Sequence, residues 1–121
     1  VNSAGLCEFG MLMGGPKFPI FKWLNAATGW DLSNEGYLVI GERIQTLRQA
    51  FNAREGVGPF QLADRLKGKP PLSAGPHKGI PLNMEDLARD YYEELQWDPE
   101  TAVPRKEALK KLGLGEIAES L

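Results

Sequence analysis

Cysteine and histidine are almost absent from the sequence, which contains Cys7 and His77 as the single residue of each type. One cysteine cannot form an internal disulfide, which excludes a disulfide-stapled secreted scaffold and predicts a reducing compartment such as the cytoplasm. One histidine excludes a zinc site built on a histidine cluster. The sequence also has no glycine-rich nucleotide-binding motif, and no serine lies at a recognisable spacing from a histidine and an acid.

Long apolar runs and strong net charge are also lacking. No apolar run approaches the roughly 18 residues that a membrane span requires, and no basic region precedes the first apolar stretch, as it would in a signal peptide. The formal net charge of −2 gives no support to nucleic-acid binding. We therefore expect neither a membrane nor a nucleic acid as a partner. Because the first residue is Val1 rather than methionine, we expect a fragment or a processed product.

One long helix is the strongest structural prediction from the sequence. Ser33 is suited to cap its start, and Gly56 is suited to stop it, so that it covers Asn34–Arg54. Apolar residues within it follow steps of three and four, which predicts a single buried face. That predicted face consists of Tyr37, Ile40, Ile44, Leu47 and Phe51.

Shorter helices are predicted on both sides of the long one. Residues 7–13 allow one or two turns, and an apolar segment at residues 20–27 ends at Gly29. Asn83 is suited to cap a second clear helix, Pro104 is suited to begin a third, and residues 116–121 add a last turn. No alternating strand pattern is visible. The predicted fold is all-α, a single small domain over residues 1–121 with four to five helices.

Five tyrosine and tryptophan residues are predicted to pack against the core rather than to bind a ligand. They are Trp23, Trp30, Tyr91, Tyr92 and Trp97.

A long segment rich in proline and glycine, residues 55–82, separates the predicted helices. Only residues 61–66 are predicted to form a helical turn, and His77 is predicted to be an ordinary surface residue. Long structureless loops are uncommon in compact domains. We therefore expect this segment to pack against something that the chain itself does not contain.

Cys7 is the residue whose surroundings suggest chemistry. It ends the string Asn2-Ser3-Ala4-Gly5-Leu6-Cys7, whose small residues allow the backbone to approach a ligand closely. A thiolate is the ligand that iron–sulfur clusters require. A buried structural cysteine is the ordinary alternative, and the residues alone favour that alternative.

Further short strings follow this one in a specific order along nearly the whole chain. They lie at residues 24–33, 41–44, 51–56, 75–79, 91–92, 97–98 and 103–114. Together with residues 2–7, which are similar to an Asp-x-x-Gly-Leu-Cys motif, their order and spacing resemble the C-terminal part of the aldehyde ferredoxin oxidoreductase family.

The resemblance implies a cofactor-binding role for the start of the chain. Family members are three-domain enzymes that oxidise aldehydes to carboxylic acids with tungsten, or sometimes molybdenum, held by two pterins. A four-iron four-sulfur cluster passes the electrons to ferredoxin. By this resemblance Cys7 is the fourth cluster ligand, and Asn2, Gly5 and Leu6 belong to the pterin site. Asn2 stands where the family usually has Asp, so any contact that it makes lacks the charge.

The resemblance also implies that the rest of the active site lies elsewhere. The family's acid/base residues and its other three cluster cysteines are upstream, so no catalytic residue is expected here. The partners would be the missing N-terminal and middle domains and ferredoxin. We expect the isolated chain to be inactive and to retain no cofactor, because one thiolate cannot hold a cluster. The alternatives are a stand-alone helical scaffold or interaction module, and a family member with a different substrate.

Overall fold

The computed structural model of the chain describes all 121 residues apart from the side chain of Pro16. The described residues form six α-helices and two 3-10 turns, which confirms the predicted all-α class. In chain order the α-helices are α1 (Glu8–Gly14), α2 (Ile20–Thr28), α3 (Asn34–Arg54), α4 (Met84–Glu94), α5 (Lys106–Lys111) and α6 (Gly115–Ala118). The 3-10 turns are Asn2–Ala4 and Gly15–Lys17. None of the helices described is both long enough and apolar enough to cross a membrane.

The chain divides into two compact units, Val1–Gln45 and Thr46–Leu121. The prediction of a single domain stays a prediction, because compact units of this size can belong to one domain.

In the first unit, the side chain of Asn25 holds the connection between α2 and α3. Its Nδ2 donates to the carbonyl of Leu32 at 3.0 Å, and its Oδ1 accepts from the Leu32 amide at 3.3 Å. The same Oδ1 accepts from the hydroxyl of Tyr37 at 2.7 Å. The Tyr37 ring stacks on Phe21, with centroids 5.1 Å apart. Polar and aromatic contacts therefore fix the start of α3 against α2.

The capping residues act as the sequence predicts. The hydroxyl of Ser33 accepts from the Gly36 amide at 3.1 Å, and Asn83 Oδ1 accepts from the Asp86 amide at 3.2 Å. Gly29 adopts φ 74° after α2 and donates its amide to Asn25 O. Hydrogen bonds to its own amide and to the Ser33 hydroxyl hold the pKa of Glu35 below its ordinary value.

The second unit is built around Trp97, which is 2% exposed. Tyr92 stacks on its indole with centroids 5.9 Å apart, and Tyr91 meets the indole edge-on at 5.8 Å. Two side chains of α3 reach the segment that follows α4: Thr46 accepts from the indole nitrogen of Trp97, and Gln49 donates to the carbonyl of Ala102 at 3.0 Å. A second buried cluster joins Ala50 of α3 to Leu109 and Ala118. The predicted packing is confirmed for Tyr92 and Trp97, which are buried, and Tyr91 packs one side of its ring on Trp97 while 46% of the residue stays exposed.

The buried face of α3 differs from the predicted one in this unit. Leu47 is 42% exposed and Phe51 is 56% exposed, whereas Thr46 and Ala50 are buried. Small side chains let α3 approach its neighbours closely, so the helix packs through its small residues. Leu47 and Phe51 are left as an uncovered apolar stripe, and the guanidinium of Arg54 lies over the Phe51 ring at 5.2 Å.

Three further predictions differ from the structure. The third helix begins at Lys106 rather than at Pro104, because Pro104 forms an antiparallel bridge with Trp97 and the extended Arg105 donates its amide to Gln96 O. The turn predicted at residues 61–66 begins later, since its hydrogen bonds start at Ala63 O, and it does not continue into a helix. Trp23 and Trp30 are about half-exposed rather than packed in a core.

Candidate functional site

The four predicted site residues lie in one tight turn at the start of the chain. Residues Asn2–Ala4 form a 3-10 turn, and Gly5 closes it with φ 71° while donating its amide to Asn2 O at 2.9 Å. The Leu6 amide donates to Val1 O at 3.3 Å. The turn forms because glycine reaches the left-handed conformation at little steric cost. The structure therefore brings Asn2, Gly5, Leu6 and Cys7 together, as the motif requires.

Cys7 occupies the N-cap position of α1. Its backbone is extended, with φ −74° and ψ 118°, and its carbonyl accepts from the Met11 amide at 3.1 Å. Its side chain is exposed and forms no disulfide. Within these 121 residues Cys7 is thus exposed rather than buried. The backbone of Cys7 is fixed by the helix, while its thiol stays accessible to a ligand.

The space beside the turn is open. A Cβ atom built on Gly5 would have no other heavy atom within 4 Å among its described surroundings. A bound group could thus reach the backbone at this position without displacing a side chain. Asn2 is exposed, and Leu6 is partly buried. These features fit a backbone wall for a cofactor better than a self-contained binding pocket.

Cys7 has no companion ligands nearby. No group of three or more histidine, cysteine, aspartate or glutamate side chains that could hold a metal forms among the residues described. A four-iron four-sulfur cluster is typically held by four cysteine thiolates. The described residues alone do not form such a ligand set.

Helix α1, which follows Cys7, presents large apolar side chains to solvent. Phe9 is 79% exposed, and Leu12 and Met13 are similarly exposed. Apolar surface of this kind marks an interaction site when it is contiguous. Sequence analysis did not predict a function for these three residues, although the sequence shows that they closely follow the cysteine motif.

A second concave feature lies within residues 65–82, and we call it the loop cup. It encloses about 390 Å³, and its apolar wall consists of Leu66, Pro70, Leu72, Ile80 and Leu82. Arg65 and His77 also line it. His77 is thus an exposed residue, as predicted, but one that borders a concavity. The signal for the cup was the set of apolar residues between the prolines, which sequence analysis did not single out.

Comparison with known proteins gives a consistent family assignment. A model described as aldehyde ferredoxin oxidoreductase, domains 2 and 3, matches residues 1–114. The tungsten-containing aldehyde ferredoxin oxidoreductase of Pyrococcus abyssi is 38% identical over 97% of this chain, and that of Pyrococcus furiosus is 36% identical over the same share. An aliphatic sulfonate oxidoreductase, WOR-like subunit, of Pyrococcus furiosus is 33% identical over 95% of the chain.

The chain spans 19% of the length of each of these relatives. No solved structure matches the chain significantly.

Proposed function

The chain belongs to the aldehyde ferredoxin oxidoreductase family, and from that premise we propose that it is the C-terminal part of a longer tungsten- or molybdenum-dependent oxidoreductase. In this proposal the full-length protein oxidises an aldehyde to a carboxylic acid. The chain contributes one ligand to a four-iron four-sulfur cluster and one wall of a pterin site. The observation that carries the proposal is the exposed thiol of Cys7, fixed at the N-cap of α1 directly after the Gly5 turn.

Cys7 would hold the cluster through its thiolate. The capping position fixes the backbone of Cys7 and leaves its side chain free to turn toward a partner. The other three ligands would come from the rest of the full-length protein, because the chain has one cysteine. A cluster ligand must be a reduced thiolate, because a cysteine that is oxidised to a disulfide cannot bind iron. A reducing compartment keeps the thiol in this state, and we propose the cytoplasm.

Asn2, Gly5 and Leu6 would form the side of the turn that faces the pterin. Gly5 leaves open space beside the backbone, so Gly5 and Leu6 would contact the pterin through their peptide groups, and Asn2 would contact it through its side chain. The amide of Asn2 offers one acceptor and two donors where the family usually has a carboxylate. We therefore expect Asn2 to bind the pterin through neutral hydrogen bonds, which are weaker than charge-assisted ones.

Oxidation of an aldehyde with water gives a carboxylic acid, two protons and two electrons. When bound, the metal–pterin group would accept the electron pair and the cluster would carry the electrons onward singly, with ferredoxin as the acceptor. The residues of this chain hold and position these groups and take no proton from the substrate. We therefore propose that the isolated chain is inactive and retains neither cofactor, and that its first partners are the missing N-terminal and middle domains.

A different substrate is the second candidate function, and one relative supports it. The WOR-like subunit of an aliphatic sulfonate oxidoreductase is 33% identical to this chain. The chain is thus similar to relatives whose names give different substrates, so the aldehyde and the aliphatic sulfonate are both candidates for the substrate class of the full-length protein. A stand-alone scaffold or interaction module is the third candidate, and it predicts no metal at all.

The experiment is a metal analysis of the full-length protein, purified without oxygen, beside a Cys7→Ala variant. We expect about four irons with tungsten or molybdenum in the unaltered protein and a loss of iron in the variant. A Ser3→Ala variant in the same turn is the matched control and should keep its iron. Absence of iron and of both metals from the unaltered protein would leave the scaffold as the remaining candidate. Iron retained by Cys7→Ala would exclude Cys7 as a ligand.

A further inference from the structure

The loop cup is held in shape by its own backbone. The Gly79 amide donates to Leu72 O at 3.0 Å, and the Leu82 amide donates to Lys67 O at 3.2 Å. Gly68, with φ 71°, makes the turn that lets residue 67 reach residue 82. These bonds join residues seven and fifteen positions apart, so the concavity is formed before any occupant arrives.

The wall of the cup is apolar and faces solvent. The side chains that form this wall are exposed by between 43% and 62%, and they are Leu66, Leu72, Ile80 and Leu82. Covering such side chains is favourable by roughly 25 cal/mol for each Å² of apolar surface removed from water. A preformed concavity with exposed aliphatic walls has the form of a docking site for an apolar side chain.

Cations outnumber acids in the segment that forms the loop cup, and one of these cations, Arg65, lines the cavity. Residues 61–82 contain Arg65, Lys67, Lys69 and Lys78 against a single acid, Asp64. Asp64 lies 4.0 Å from Lys67. Among the residues that the structure describes, Arg65, Lys69 and Lys78 take part in no salt bridge. Electrostatic complementarity therefore favours an occupant that carries acidic groups beside its apolar side chain.

We propose that the loop cup is the docking site for an apolar, acid-flanked segment from the part of the full-length protein that lies outside these 121 residues. The length of that part supports this source, because the chain spans 19% of each of its relatives. The inference rests on the proposed function, since it requires a longer protein. It goes beyond that function in naming the surface and the chemistry of its occupant.

The test is hydroxyl-radical labelling of the aliphatic side chains in two proteins, the 121-residue chain and the anaerobically purified full-length protein. We expect Leu66, Leu72, Ile80 and Leu82 to be labelled readily in the chain and to lose most of that labelling in the full-length protein. Equal labelling in the two proteins would overturn the proposal. If the four side chains of the 121-residue chain lose labelling as the concentration of that chain rises, the occupant is a second copy of the chain. This outcome would also overturn the proposal.

Charge-reversal variants of the full-length protein test the acidic character of the occupant. Arg65→Glu combined with Lys78→Glu should restore labelling of the cup, since two attractive cations become repulsive anions. Lys106→Glu combined with Lys110→Glu, at exposed cations of α5, is the matched control and should leave the labelling low. Circular dichroism establishes that each variant is folded. Where the double reversal unfolds the protein, Arg65→Gln with Lys78→Gln replaces it, with a partial return of labelling expected.

The outcomes separate this inference from the proposed function. Persistent protection after charge reversal would exclude an acid-flanked occupant even where the iron content is normal. Metal analysis of the same samples reports on the oxidoreductase proposal alone. A protected, charge-sensitive cup in a protein without iron or tungsten would support docking and exclude the cofactor role.

Discussion

The indole nitrogen of Trp97 donates a hydrogen bond to the hydroxyl of Thr46 across 3.4 Å, in a site where both side chains are buried. This bond links α3 to the segment after α4, although the two residues are 51 positions apart in sequence. Two hydrogen-bonding groups are thereby satisfied at the centre of the second unit.

Replacing Thr46 with valine is expected to destabilise the chain by about 1 kcal/mol, because the buried indole N–H loses its acceptor while the volume hardly changes. This free-energy cost lies at the low end of the range for an unsatisfied buried donor, because the hydrogen bond between Trp97 and Thr46 is long. Urea unfolding followed by tryptophan fluorescence measures the change. Thr46→Ser, which retains the hydroxyl, is the control and should recover part of the loss. Equal stability of Thr46→Val and the unaltered chain would show that the bond contributes nothing.

A second prediction concerns the ends of three helices, which share one backbone arrangement. After α3, α4 and α5, the residues in the left-handed conformation are Gly56, Gln96 and Gly113. At α4 the Trp97 amide donates to Tyr92 O at 2.7 Å, and the Gln96 amide donates to Glu93 O at 2.9 Å. This is the Schellman arrangement, in which glycine is strongly favoured at the position that Gln96 occupies.

Gln96→Gly is expected to stabilise the chain by up to about 1 kcal/mol. The left-handed conformation costs a non-glycine residue about 1–2 kcal/mol, and glycine removes this strain. Part of the gain is lost because glycine has a higher conformational entropy in the unfolded chain. Gly113→Ala places the opposite change at the equivalent position of α5 and should lower stability. Thermal unfolding of both variants tests the pair. A Gln96→Gly variant less stable than the parent would show that the Gln96 side chain makes a contribution larger than its backbone strain.

The helices show which features were predictable from the sequence. The limits of α3 agree with the prediction because they depend on local signals, the Ser33 cap and the stop at Gly56. The predicted start of α5 at Pro104 was wrong, because Pro104 pairs with Trp97 instead. The position of Trp97 depends on contacts with residues that are distant in the sequence. The periodicity of apolar residues also predicted that Leu47 and Phe51 are buried. In the structure Thr46 and Ala50 are buried instead, because their small side chains allow close packing.

The two candidate sites differ in the same way. The residues of the first site lie so close together in the sequence that one turn contains them all, and their proximity therefore follows from the local sequence. They are Asn2, Gly5, Leu6 and Cys7. The loop cup depends on pairings such as Lys67 with Leu82, which no short motif specifies. Its surface chemistry was present in the composition of the segment, but its concave form required the three-dimensional structure.

A third prediction concerns acid sensitivity at Asp98. Its Oδ1 accepts from the Thr101 amide and hydroxyl, both at 2.8 Å, and from the Glu100 amide at 3.0 Å. The Thr101 amide first, then the Thr101 hydroxyl, the Glu100 amide and the charge of Arg105 hold the pKa of Asp98 below its ordinary value of 3.8. These bonds favour the ionised carboxylate in the folded chain more than in the unfolded one.

The contribution of Asp98 to stability should therefore be complete above its unfolded pKa of 3.8 and should disappear as the pH falls through the lower folded pKa. Asp98→Asn retains an oxygen acceptor but removes the charge. We expect the unaltered chain to be the more stable of the two near neutral pH, and the difference to shrink on acidification below pH 3.8. Urea titrations across this range measure it. A difference that stays constant with pH would mean that the carboxylate charge has no part in holding the turn.

The last prediction concerns the turn that presents Cys7. Gly5 has φ 71° and open space beside it, so Gly5→Ala introduces backbone strain of about 1–2 kcal/mol without any steric clash inside the chain. Because residues 1–5 are exposed and make few buried contacts within the chain, the strain should open the turn rather than unfold the chain. In the full-length protein we expect the variant to keep its helical content and to lose both iron and pterin, since Cys7 and the backbone wall would be displaced together. Iron retained with pterin lost would show that Gly5 serves the pterin contact alone, whereas both retained would exclude the turn from cofactor binding.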